Sequence, residues 1–191
     1  MATNPKEGKL LYHMTALENL ESIIQHGLSP RNEIKNEFKN VADDRILKKR
    51  KEFDLEYYVP FHFFSLTPFA GAVQRDYRGT EFVYLTLHRN KAKEKGFKII
   101  PSHPLNYTGK PLKWKEGINV INWELMNKRE YIDNDCCQCC MAESIYKGKI
   151  NVSQFQFIFV RNIEIKEIVV NLLKKYGLKT TVVCNEFFFK K

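Results

Sequence analysis

Residues 10–28 constrain the fold more than any other stretch of this chain. Leu10-Leu11-Tyr12-His13 is an apolar run of strand length, and Thr15-Ala16-Leu17-Glu18 behind it has the form of a capping box, a Thr cap with Glu three residues on. Leu17, Leu20, Ile23 and Ile24 then share one face at helical spacing. Gly27 follows as a left-handed C-terminal cap, with Leu28 placed to pack back on the last turn. The segment predicts a strand, a tight turn and a helix. It also places His13 and Thr15 where strand meets helix, with backbone N–H groups free to face an anion.

The rest of the chain is organised less tightly. Residues 29–56 are highly charged, with a short amphipathic helix expected around 41–52. Strands are expected at Tyr57–Ser65, broken by Thr67-Pro68, and at Phe82–Leu87, Met141–Tyr146, Gln156–Val160 and Thr180–Cys184. Residues 91–118 carry Pro101, Pro104, Gly109, Pro111 and Gly117 and read as mostly loop. Ile165, Ile168, Val169, Leu172, Leu173 and Tyr176 form a helical stripe closed by Gly177. Strands outnumber helices and do not alternate with them regularly, so the expectation is one α+β domain over residues 1–191, a central β-sheet with peripheral helices.

The charge balance narrows the partners. Lys and Arg number 31 against 22 Asp and Glu, a formal net charge of +9. Such an excess favours polyanions through counterion release. The start of the chain lacks the apolar stretch of a signal peptide, and runs such as Phe157–Val160 are too short to span a bilayer. A soluble, cytoplasmic protein with no membrane partner is expected. Four of the five cysteines crowd into 136–140. Cys136-x-x-Cys139 and Cys137-x-x-Cys140 have the spacing of half a zinc site, with Cys184, His88 or His103 as further ligands. Adjacent cysteines on an extended chain point to opposite sides, so free thiols and no metal are the expectation, with structural zinc and then redox sensing as the lesser alternatives.

Three pieces together resemble one family. Leu11-Tyr12-His13-Met14-Thr15 running into Glu18-Asn19-Leu20, then Ile23-Ile24 and Gly27-Leu28, is similar to the N-terminal NAD-binding segment of DarT-like DNA ADP-ribosyltransferase toxins. Val59-Pro60-Phe61-His62-Phe63-Phe64 with Thr67-Pro68-Phe69 resembles the family's Val-Pro-Phe-Tyr-Phe strand and the turn after it. Met141-Ala142-Glu143-Ser144-Ile145-Tyr146 sits where the family carries an Ala-Glu dipeptide leading a strand. The resemblance spans nearly the whole chain and implies an ADP-ribosyltransferase-like fold.

It also implies the chemistry. Breaking the nicotinamide–ribose bond of NAD⁺, the co-substrate, builds positive charge on the sugar, as in glycoside hydrolysis. A fixed carboxylate stabilises that charge more than the ground state, and the resemblance gives Glu143 this role. His13 and Thr15 would seat the cofactor, although Thr15 has its cap role as well. Asn19 either faces the nicotinamide or is merely exposed on its helix. Arg50 matches a family arginine near the glutamate, suited to the pyrophosphate or a base carbonyl, with Arg45 a rival. Phe61, Phe63 and Phe64 alternate between core and cleft; at least two should be core, and Phe63 is assigned to the cofactor. The family has tyrosine where this chain has His62, so no hydroxyl role carries over. A base acceptor must be exposed, which points to single-stranded DNA, with Tyr107, Trp114 or Tyr131 stacking bases and residues 127–140 positioning the acceptor. Thymine and guanine both remain open. The family context implies a toxin neutralised by a macrodomain antitoxin. Two other readings stay open: an NAD-dependent RNA 2′-phosphotransferase, and a nucleic-acid-binding module without catalysis.

Overall fold

In the computed structural model, residues 4–34, 38–39 and 44–189 are described. The first strand, β1 (Leu10–Ala16), runs three residues beyond the expected His13. Thr15 is therefore a strand residue and does not cap a helix. A 3₁₀ turn (Leu17–Asn19) intervenes, its cap position is held by Ala16, and only then does α1 (Leu20–His26) begin. The Thr15 hydroxyl accepts from Asn19 Nδ2 at 3.2 Å instead. Gly27 does end the helix at positive φ (83°), where a Cβ would sit 2.7 Å from Cγ of Lys149.

The charged stretch contains α2 (Asp44–Glu52), and the aromatic stretch after it narrows to β2 (Val59–His62). Thr67-Pro68, expected only as a break, starts a helix: Pro68 opens α3 (Pro68–Asp76) and Thr67 Oγ1 accepts from the Ala70 N–H at 3.2 Å. After β3 (Phe82–His88) come α4 (Arg89–Glu94), β4 (Lys98–Ile100), β5 (Leu112–Lys113) and α5 (Trp114–Val120), so the Pro- and Gly-rich region is more ordered than its composition suggests. Then follow α6 (Trp123–Lys128), α7 (Asn134–Cys140), β6 (Glu143–Tyr146), β7 (Phe157–Val160), α8 (Ile163–Lys175) and β8 (Thr181–Cys184). Among the described residues the eight strands are matched by eight α-helices, so strands do not outnumber them.

The strands form one sheet in the order β5-β4-β6-β2-β1-β3-β7-β8. All neighbours are antiparallel except β7 and β8, which are joined by α8 and run parallel, as a crossover helix requires. Each face has its own core. On one, Leu11, Phe61, Val83, Leu85, Ile99 and Ile158 pack against α1, α6, α7 and α8. On the other, Met14, Ala16, Phe82, Tyr84 and Phe159 pack against α3 and the C-terminal Phe189. The chain thus has the expected α+β architecture, a central sheet with helices around it.

One contact in this packing has no slack. Gly117 of α5 lies so close to β4 that a Cβ would stand 2.3 Å from Cβ of Ile99, itself fully buried. The clash is with a short branched side chain in the core, which cannot swing away. Gly117→Ala should therefore destabilise the fold by about 1–3 kcal/mol despite the better helix propensity of alanine, read as a lower midpoint in urea unfolding.

Candidate active site

β1 and β2 pair at Tyr12↔His62 and part beyond it. Where strands separate, backbone carbonyls lose their ladder partners, and a buried one must find another. The His13 side chain fills that need: its Nδ1 lies 2.8 Å from the Pro60 carbonyl oxygen. A carbonyl only accepts, so Nδ1 carries the hydrogen and Nε2 presents a lone pair. Burial pulls the His13 pKa down to about 4 against the opposing pull of the Pro60 bond, which leaves the ring neutral at physiological pH. The parted strands open a cleft of about 880 Å³ lined by His13, Thr15, Asn19, Arg50, His62 and Glu143, among others.

Glu143 opens β6 between two neighbours, opposite His62 of β2 and Ile100 of β4. It is therefore an interior-strand carboxylate, 4% exposed, and not a surface residue on a strand edge. A buried carboxylate is tolerable only with partners. Arg50, on α2, supplies them from one nitrogen, Nη1, which donates to Oε1 at 2.9 Å and to Oε2 at 3.0 Å. The other arm of the fork, Nη2, is buried without a hydrogen-bond partner. An orphaned guanidinium N–H beside a carboxylate is an unused donor in a cleft of ligand size. The side chain of the rival, Arg45, lies outside the described residues.

Asn19 is placed beside Thr15, but its amide is fully engaged. Nδ2 donates to Thr15 Oγ1 and to the Lys39 carbonyl (3.1 Å), while Oδ1 accepts from the Lys39 N–H at 2.7 Å. The pair of bonds to one residue's backbone mimics a sheet bridge and straps residues 38–39 to the cleft rim. Phe38, which also lines the cleft, is held under the Arg31 guanidinium at 5.1 Å. Asn19 thus shapes the cavity wall. Asn19→Ala should destabilise the fold by about 1–2 kcal/mol, the worth of one or two net hydrogen bonds, measured as a lower midpoint in urea unfolding.

Phe63, assigned above to the cofactor, is not in the cleft. It is 2% exposed and packs edge-on to Trp123 (centroids 5.3 Å apart) under the Arg89 guanidinium. Phe61 and Phe64 are core as well. The strand alternation that sends Phe61 inward sends His62 to the cleft, where Nδ1 stands 3.3 Å from the Ala142 carbonyl and burial lowers the ring's pKa. His62 is the residue that the sequence reading passed over, and its position between two core phenylalanines was the available signal. Phe69 packs against it at 5.8 Å, and His103 and Met141 complete the wall.

Residues 127–140, expected to position the acceptor, comprise the end of α6, a short connection and α7. The cysteines are therefore on a helix and not an extended chain: Cys136, Cys139 and Cys140 share its buried face, and Cys137 does not. Their thiols donate to carbonyls of the 122–126 segment, Cys136 to Leu125 and Cys139 to Asn122 at 3.1 Å each, and Cys140 to Met126. Burial raises the pKa of Cys139 and Cys140, so these are packing groups. Among the described residues no group of three or more His, Cys, Asp or Glu is arranged to hold a metal ion.

Solved structures with the same fold include Thermus sp. 2.9 DarT in complex with ADP-ribosylated ssDNA (TM-score 0.85, 19% identity, 100% of both chains covered) and in complex with NAD⁺ (TM-score 0.78, 18% identity, 96% of this chain and 98% of that one). Thermosipho africanus DarTG in complex with ADP-ribose is similar at TM-score 0.71 and 18% identity, covering 95% of this chain and 51% of that one. No curated protein matches the sequence. The family model described as "DarT: ssDNA thymidine ADP-ribosyltransferase" matches residues 12–189, which favours base modification over the phosphotransferase and the non-catalytic module. The chain belongs to the DarT family of ssDNA thymidine ADP-ribosyltransferases.

Proposed function

We propose that this chain, as a single catalytic domain, transfers ADP-ribose from NAD⁺ to a thymine of single-stranded DNA, with Glu143 and Arg50 as its catalytic pair. The observation that carries this reading is the convergence of the Arg50–Glu143 pair and the neutral imidazole of His13 on one cleft of about 880 Å³. That volume is within the range that takes a dinucleotide.

Each residue has a task its geometry allows. His13 Nε2 accepts from a ribose hydroxyl, and the ring holds the sugar in place because its Nδ1–H is anchored to Pro60. Thr15 and Asn19 set the cavity wall beside it, and Arg31, Lys39 and Lys48 on the lining attract the pyrophosphate. As the bond from C1′ to nicotinamide breaks, Glu143 stabilises the positive charge growing on the ribose. The acceptor nitrogen of the base bonds to C1′, nicotinamide departs with the bonding pair, and the base proton passes to the Glu143 carboxylate. Arg50 Nη2, free of any other bond, donates to a base carbonyl or a phosphate oxygen.

DarT relatives solved with NAD⁺ and with ADP-ribosylated ssDNA support the substrates named here. Family likeness to DarTG supports a toxin role opposed by a macrodomain antitoxin that removes the modification, and a cytoplasmic location. No helix among the described residues is long and apolar enough to cross a membrane. The test is incubation with labelled NAD⁺ and oligonucleotides that each contain one candidate base, analysed by mass spectrometry. Modification confined to thymine supports the reading. Label on guanine alone, or on none of the oligonucleotides, sinks it.

A further inference from the structure

A second recess, of about 460 Å³, lies at the opposite end of β1 from Thr15. Its lining combines Trp114 and Trp123 with Lys6, Lys9, His88 and Asn90, and it contains no Asp or Glu. Three features specify what fits. The first is Arg89 at its floor, 9% exposed and held at about 10 by burial, so still cationic. Its guanidinium donates to the carbonyls of Phe63 (2.9 Å), Leu10 (3.2 Å) and Lys6 (3.3 Å), and no carboxylate among the described residues pairs with it. Buried charges are normally paired, so this floor favours an anion. The second is His88: its Nδ1 accepts from the Asn90 N–H at 3.2 Å, which leaves Nε2–H as a donor. The third is the half-buried indole of Trp114, a stacking platform for a planar base, while the Trp123 ring already lies against the Arg89 guanidinium at 5.7 Å and forms the inner wall.

A cationic floor, a donor and a π-face together match the phosphate, the polar edge and the ring of a nucleotide. We propose that this recess is a second nucleotide subsite, seating a base and a phosphate of the single-stranded substrate away from the reacting thymine. The inference rests on the reading of the chain as an ssDNA-modifying enzyme. The recess backs onto the catalytic cleft across a single residue: Trp123 meets Phe63 edge-on at 5.3 Å, and Phe63 follows His62 directly. Trp123 also begins α6, whose Leu125 and Met126 carbonyls receive the Cys136 and Cys140 thiols of α7, the helix that leads to Glu143.

The two tryptophans of the chain both line this recess, so indole emission reports its occupancy. The experiment titrates thymine-containing single strands of about 4 and about 16 nucleotides, and free dTMP, into the wild-type chain and into Lys6→Glu/Lys9→Glu. Both lysines are exposed, and neither belongs to the catalytic cleft. The longer strand should quench emission and the shorter one should not. The double variant should lose the quench and raise the KM for DNA at least about tenfold, with kcat and the KM for NAD⁺ unchanged. Its salt dependence of DNA binding should become shallower by about 0.7 in log–log slope, the share of the one phosphate seated here. Unchanged DNA kinetics in the variant overturn the inference, as does equal quenching by dTMP, which marks a site for free nucleotides. Label transfer by the wild type without any indole response overturns the inference alone. An indole response without label transfer instead overturns the catalytic reading and leaves a nucleic-acid site.

Discussion

Glu143→Gln should lower kcat for transfer to DNA by about 10³-fold while NAD⁺ binding stays within about threefold. The substitution keeps the shape of the side chain and removes its charge, and a charge matters here only when the ribose becomes cationic. A preorganised group of this kind contributes about 10²–10³ in rate, and loss of the proton acceptor removes more. Binding changes little, because the ground-state sugar is neutral at C1′. A stability effect has to be separated from this one. Removing one member of a buried ion pair costs about 3–5 kcal/mol, and Arg50 would keep its charge in a site where its own side chain is 14% exposed. The pair Arg50→Met/Glu143→Leu resolves the matter. It should recover much of the lost stability, as apolar replacements of buried pairs do, and recover no activity. Single-turnover transfer to a thymine oligonucleotide, set beside urea unfolding of each variant, measures both. Transfer by Glu143→Gln above a tenth of the wild-type rate would remove Glu143 from the chemistry.

The strand–turn–helix at 10–28 was legible because its punctuation is local: apolar spacing and Gly27 depend on residues a few positions apart. The error inside it was local too. A Thr with Glu three residues on reads as a capping box, but pairing of Thr15 with Val83 across the sheet extended β1 and moved the helix start to Leu20. Tertiary pairing outweighed a cap worth about 1 kcal/mol. The stretch at 91–118 misled in the same way, since β4 gains its order from β6 rather than from its own sequence.

The site shows the same division. Glu143, His13 and Arg50 could be named from family resemblance, but their convergence depends on β1 and β2 parting after one pair, which no local pattern encodes. Phe63 went astray because alternation along a strand gives two faces without saying which is the core. The neighbours decide: Phe61 pairs with Ser144 on the face that carries Ile99, so the cleft side belongs to His62, level with Glu143. The cysteines were judged on an extended chain, whereas Asp133 caps a helix there by accepting from the Cys136 N–H at 2.7 Å. The cap residue was in the sequence, three positions ahead of the first thiol.

Acidification from pH 6.5 to about pH 4 should cost the fold about 3 kcal/mol through His13 alone, at about 1.4 kcal/mol per pH unit. The sign follows from which state takes the proton first. The unfolded chain protonates this histidine near 6.5, while the folded chain, which buries it, resists until about 4. Between those values the unfolded state binds more protons, so stability present above pH 6.5 is lost as the pH falls and levels off once both states are charged. His62, also depressed by burial, adds in the same direction. His13→Gln keeps an amide N–H for the Pro60 carbonyl and cannot titrate. Its unfolding free energy should fall less steeply than that of the wild type over this window, retaining only the His62 share. Function should respond over the same range. A proton on Nε2 removes the acceptor for the ribose hydroxyl and sets a second cation beside Arg50, so the KM for NAD⁺ should climb as the pH drops towards 4. Urea unfolding at stepped pH values, for wild type and His13→Gln in parallel, checks the linkage. Parallel slopes for the two proteins would show that folding does not depress the His13 pKa, and that burial is not what keeps the ring neutral.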